Sequence, residues 1–73
     1  MNSATEYQLQ ALEPFLEMLR EKESELPRSD WEQLVIATRD RIVAVPEQYL
    51  PGAVRPSDEL TKAIEMIFNE RLN

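Results

Sequence analysis

Ser29-Asp30-Trp31-Glu32-Gln33-Leu34-Val35-Ile36-Ala37-Thr38-Arg39-Asp40-Arg41-Ile42-Val43-Ala44-Val45-Pro46 is the stretch whose reading decides how this chain folds. Ser29 is a favourable helix N-cap. Glu32, three residues on, completes the spacing of a capping box, in which two side chains satisfy backbone N–H groups left open at a helix start. Asp30 and Glu32 also suit the positive end of the helix dipole. Trp31, Leu34, Val35, Thr38, Ile42 and Val45 recur at helical spacing on one face, and Arg39, Asp40 and Arg41 lie mostly off it. Pro46 disfavours helical geometry at Val45 and stops the helix. The pattern predicts an amphipathic helix over about 30–44. Trp31 is expected in the core; the alternative is a recognition anchor, because Trp is favoured in binding hot spots.

Working toward the C-terminus, residues 46–56 form a connector rich in turn signals. Pro46-Glu47-Gln48-Tyr49-Leu50 has Pro where a first helical position takes it best, which suits one extra helical turn. Pro51-Gly52 reads as a type II turn, in which Gly supplies the positive φ after Pro. Ser57 then caps a last helix over about 58–71, with Asp58 and Glu59 at its positive end. Leu60, Ala63, Ile64, Ile67, Phe68 and Leu72 make its apolar stripe.

Toward the N-terminus, Leu9, Leu12, Leu16 and Leu19, with Ala11, Phe15 and Met18 beside them, again follow helical spacing. Ser3 and Glu6 have capping-box spacing. Pro14 interrupts the pattern. It lacks the N–H that would bond the Gln10 carbonyl, a defect costing about 3 kcal/mol inside a helix. Two arrangements remain open: a short first helix meeting a second at a kink, or a helix beginning at Pro14 with residues 1–12 as an arm. The reading adopted is a break near Glu13, giving an N-terminal arm or short helix over 1–13 and a single helical domain over 14–73. The acids from Glu21 to Glu25 match the C-terminal dipole poorly, so fraying is expected after Lys22. The fold expected is all-α: a small bundle of three main helices at about 14–24, 30–44 and 58–71, with the Pro/Gly connector laid across it.

Composition narrows the chemistry. The 73 residues allow one domain, and a chain this short buries a small core. The absence of Cys and His removes disulfides, thiol nucleophiles, imidazole ligands and His acid–base chemistry. Net charge is −6, unevenly placed. Residues 1–27 carry six acids against two bases, net −4; residues 28–56 carry four of each, net 0; residues 57–73 carry four against two, net −2. Such a chain is repelled by phosphate backbones and anionic lipid. Direct nucleic-acid binding is not expected, and a partner with a basic surface is favoured. The N-terminus lacks the basic and apolar regions of a signal peptide, and no run is long enough for a membrane span. The expectation is a cytoplasmic protein.

No residue constellation points to catalysis, a metal or a cofactor. Asp40 adjoins Arg39 and Arg41, but neighbours on a helix project apart, so the trio reads as a solvated mixed-charge face. Glu13/Glu17 and Glu21/Glu25 have the i,i+4 spacing of a carboxylate pair able to hold a divalent cation; solvated helix acids are the plainer reading. No Gly-rich loop offers a phosphate cradle. Arg39, Arg41 and Arg55 are candidates for an acidic surface or a phosphate, diluted by four acids in the same section. Tyr49 divides evenly between covering the core and contacting a partner. The most suggestive strip lies around the Pro14 break. Glu6, Tyr7, Leu9, Leu12, Glu13 and Glu17 combine acidic and apolar residues, as a segment does that lies in an apolar groove with a basic rim.

In size, acidity, lack of Cys and helical compactness, the chain resembles the small phage-encoded proteins that bind bacterial RNA polymerase. The resemblance is one of type, with no motif to carry over. It implies no enzyme activity, docking on polymerase or sigma surfaces, and action in the cytoplasm of the host cell. Locally, Trp31 to Pro46 is similar to a helix of some phage terminase small subunits, where an Arg-x-Arg-aliphatic stretch runs into an aliphatic-Pro pair after a winged DNA-binding domain. That domain has no room here.

The functional expectation is a small regulator that inhibits or redirects a larger machine by occupying its surface, with host RNA polymerase the leading partner and sigma displacement or steric blocking the mechanism. A homo-oligomeric structural or assembly subunit is the second expectation. A nucleic-acid mimic, with carboxylates in place of phosphates, is the third.

Overall fold

The computed structural model describes the backbone of residues 3–52 and 54–72 and the side chains of residues 5–52 and 54–72. Among the described residues five helical segments follow one another: α1 (Ser3–Gln10), α2 (Glu13–Glu25), α3 (Arg28–Ala44), α4 (Pro46–Tyr49) and α5 (Asp58–Arg71). No strand occurs among the described residues, so the protein is a small all-α bundle. Its two shorter dimensions are 21 and 18 Å, about two helix diameters. Every helix therefore has one face inward and one outward.

The Pro14 problem is solved by ending one helix just before it. Gln10 is the last residue of α1, and the chain turns at Ala11 and Leu12. The Leu12 N–H donates to the Leu9 carbonyl at 3.1 Å, a tightened last turn, while the Leu12 carbonyl accepts from Phe15 and Leu16 at 3.0 and 3.1 Å. Pro14 thus sits in the first turn of α2, where its missing N–H has no partner to lose. The arrangement is the short helix meeting a second one. The capping box expected at Ser3 and Glu6 rests on a side chain outside the described ones.

Fraying after Lys22 does not occur. Helix α2 runs on to Glu25, where Lys22 Nζ pairs with the Glu25 carboxylate at 3.0 Å. The Leu26 N–H closes on the Lys22 carbonyl at 2.9 Å, and the Leu26 side chain packs on the core. One cation offsets the acid at the negative end, and apolar contact holds the last turn.

Helix α3 is the central element, packed against α2, α4 and α5. The expected capping box at its start is corrected. The N-cap is Pro27, and no side chain caps the helix. Ser29 lies inside the first turn, and Glu32 turns to Arg28 at 3.5 Å. Pro27, at φ −55° and ψ 150°, delivers the chain into the helix two residues earlier than the Ser predicts, and its carbonyl accepts from the Trp31 N–H at 3.0 Å. At the other end Val45 leaves helical geometry before Pro46, as the proline demands, and the single turn α4 follows. Val45 itself is exposed and does not join the face of Trp31 and Ile42. Gly52 has φ +79°, the conformation needed after Pro51. Ser57 caps α5: its hydroxyl accepts from the Leu60 N–H at 3.1 Å.

The core consists of Leu12, Leu16, Leu19, Trp31, Val35, Ile42, Leu50, Leu60, Ile64 and Phe68. Trp31 is 1 % exposed, which selects core packing over the recognition-anchor alternative. Its indole N–H donates to the Leu19 carbonyl of α2 at 2.8 Å. The Arg28 guanidinium lies 4.7 Å from the ring centroid and reaches the Leu72 carbonyl at the end of α5 at 2.8 Å. It also pairs with Glu23 of α2 at 3.3 Å. These ion pairs are half exposed and individually weak; the buried indole bond is the stronger tie.

Two stability tests follow. Trp31→Phe keeps an aromatic ring but removes the indole donor and part of the packed volume, at an expected cost of about 2 kcal/mol. Ser57→Ala removes a used cap and is expected to cost about 1 kcal/mol, whereas Ser29→Ala, at a site that caps nothing, is expected to change stability by under about 0.5 kcal/mol. Urea denaturation followed by circular dichroism measures all three.

Candidate functional site

The acidic strip around the Pro14 break separates into outward and inward members. Glu6, Glu13 and Glu17 are exposed, with Glu17 paired to Arg20 at 2.8 Å. Tyr7 is 60 % exposed. Leu9 is half-buried against the core. Leu12 is fully enclosed, which corrects its placement as a partner anchor: the turn that accommodates Pro14 points Leu12 into the bundle, where it is structural. The side available to a partner therefore comprises Glu6, Tyr7, Gln10, Glu13, Pro14 and Glu17. Tyr7 is its large apolar member.

The arginines of the neutral middle section part company. Arg39 is largely covered. Its Nη1 donates to the Asn69 side-chain oxygen on α5 at 2.8 Å, and its Nε donates to Asp40 at 3.1 Å. The Arg39–Asp40 contact corrects the expectation that these neighbours project apart; the long guanidinium folds back along the helix surface once Asn69 holds its other edge. Arg39 and Asp40, with Val43, Ala44 and Glu65, line a cleft of about 380 Å³ between α3 and α5. The two central charges there already satisfy each other.

A second concavity lies on the opposite flank of α3. Phe15 and Met18 of α2, Leu34, Thr38 and Arg41 of α3, and Tyr49 of α4 line an open groove of about 190 Å³. The Phe15 and Tyr49 rings meet edge to face, centroids 5.3 Å apart and planes at 72°, a favoured aromatic geometry. The Thr38 hydroxyl is engaged with the Leu34 carbonyl at 2.7 Å. Among the described residues, the Arg41 guanidinium and the Tyr49 hydroxyl have no hydrogen-bond or ion-pair partner. Tyr49 thus both covers the core, where it packs, and lines a surface groove. This groove escaped the sequence reading, because its walls come from three helices. The signal was present only as an apolar surplus, in that Phe15 and Met18 lie beside the stripe of the first pattern.

Among the described residues, no group of three or more Asp or Glu comes together as cation ligands, and no helix is long and apolar enough to cross a membrane. Arg55 is exposed beside the 80 % exposed Val54 in the connector, away from Arg39 in the cleft and Arg41 in the groove in sequence and in lining. A comparison with protein families, curated proteins and solved structures finds no match for the chain.

The inward and outward members are separable by mutation. Leu12→Ala is expected to cost about 2–5 kcal/mol as a core truncation, and Tyr7→Ala under about 0.5 kcal/mol as a surface one. Thermal and urea unfolding of the two variants decide it; equal losses would mean that Tyr7 is packed.

Proposed function

We propose that this chain is a protein-binding regulator that occupies the surface of a larger partner and performs no chemistry of its own. The observation that carries the reading is the 60 % exposure of Tyr7 on a helix whose outer side, with the start of α2, presents Glu6, Glu13 and Glu17. An exposed aromatic among carboxylates gives a recognition element two parts. The ring supplies contact area at low entropic cost, of the kind that dominates interface energetics. The acids attract a basic surface and raise the encounter rate.

Bacterial RNA polymerase is the partner proposed first, on the strength of the resemblance in size, acidity and composition. Blocking or displacement of sigma is the mechanism. The partner region is expected to be an apolar pocket with Lys or Arg on its rim.

The test is direct binding of the full chain to purified bacterial RNA polymerase, core and holoenzyme, by biolayer interferometry. Binding at micromolar concentration or below is expected. Tyr7→Ala should weaken it about tenfold, and the association rate should fall as salt rises. Competition by duplex DNA with no dependence on Tyr7 would favour a nucleic-acid mimic instead. Absence of binding to either form at about 10 µM, with the variant correctly folded, removes polymerase as the partner.

A further inference from the structure

The groove of Phe15, Met18, Leu34, Thr38, Arg41 and Tyr49 is apolar along its walls and cationic at its edge. Its volume of about 190 Å³ exceeds the about 150 Å³ that suffices for a benzene ring in a protein cavity. Arg20, Lys22, Arg28 and Arg39 each hold an acid of the same chain. Arg41 holds none among the described residues, and neither do Arg55, Lys62 and Arg71. Of these four, Arg41 is the one that lines the groove, so a guanidinium without an acid stands beside an open aromatic surface. The chemistry such a lining suits is a ring with a carboxylate next to it, the ring against Phe15, Met18 and Tyr49 and the carboxylate toward Arg41.

The chain itself carries that element. Tyr7 is the aromatic among its exposed large apolar side chains, and Glu6 precedes it, also exposed. The other exposed large apolar residues, Ile36, Val45, Val54 and Met66, fit less well. Ile36 and Val45 are aliphatic and less exposed than Tyr7. Val54 is followed by Arg55, which repels Arg41. Met66 lacks a ring, and its neighbour Glu65 lines the cleft on the other flank of α3.

We propose that the groove seats the Glu6–Tyr7 segment of a second copy of this chain, with the Tyr7 ring in the groove and the Glu6 carboxylate on Arg41. Each copy then offers both a plug and a socket. One ring and one ion pair cover far less than the about 1,000 Å² of a stable interface, so the association is weak and depends on concentration. It also covers the strip assigned above to a partner, but it rests on the groove and does not require that partner.

Sedimentation equilibrium of the full chain from about 10 µM to about 1 mM tests it, with circular dichroism confirming that each variant is folded. The wild type is expected to rise above the 8.5 kDa of one chain as concentration rises. Tyr7→Ala and Arg41→Glu should each weaken association about tenfold, and Met66→Ala should leave it unchanged. The charge swap is the sharper arm. Glu6→Lys alone should weaken association, and Glu6→Lys combined with Arg41→Glu should restore it. A single-chain mass throughout the range overturns the proposal. So does association that Tyr7→Ala and Arg41→Glu leave untouched, or a charge-swapped variant no better than the single ones.

Discussion

The hydrogen bond from the Trp31 indole to the Leu19 carbonyl sets the geometry on which the rest of the bundle depends. Trp31 is the largest side chain in the core, and its indole N–H is buried with it. A buried donor left unsatisfied is costly, so α2 and α3 are held in the register that brings Leu19 under the indole. Once they are fixed, the Arg28 guanidinium covers the ring and reaches the C-terminal end of α5, where a cation complements the helix dipole. Three helix ends meet at this point. With no disulfide available, a core of about ten side chains relies on such specific ties to select one packing from many.

The same economy shapes the surface. Most cations of α2 and α3 are spent on acids of their own helices or on a neighbouring helix, as with Arg20 and Glu17, Lys22 and Glu25, and Arg39 with Asp40 and Asn69. The excess of carboxylates is left to face solvent. Arg41 stands apart from this pattern because Thr38 and Leu34, its neighbours along the groove, offer it no carboxylate. An acidic exterior with one aromatic protruding from α1 and one open groove carrying a guanidinium gives the molecule two distinct places for a protein contact. Both lie on helical scaffold, which keeps their side chains in defined positions.

The helices were legible in the sequence because the interactions that start, stop and orient them act over a few residues. Ser57 bonding Leu60, Pro46 ending α3, Gly52 turning with a positive φ and the apolar spacing of α5 are local facts, and each appears where the residues place it. The break ahead of Pro14 is equally local: the residues favour a break near Glu13, and the structure places it at Ala11 and Leu12, between α1 and α2. Legibility fails where two local signals compete: Ser29 and Glu32 spell a capping box, but Pro27 starts the helix first and Arg28 takes Glu32 away.

The sequence by itself determined that this chain is all-α, acidic, without thiols or imidazoles, and where its last helix begins and ends. Only the tertiary structure decided that Leu12 is core while Tyr7 is surface, that Arg39 is held while Arg41 is free of a partner among the described residues, and that Phe15 and Tyr49 wall a groove. The reason is range. The bond that holds Arg39 reaches Asn69, 30 positions away, and the ring pair that walls the groove joins Phe15 of α2 to Tyr49 of α4; such pairs meet only after helices have packed. Periodicity along one helix states which face is apolar, and the neighbouring helices settle how much of that face is covered.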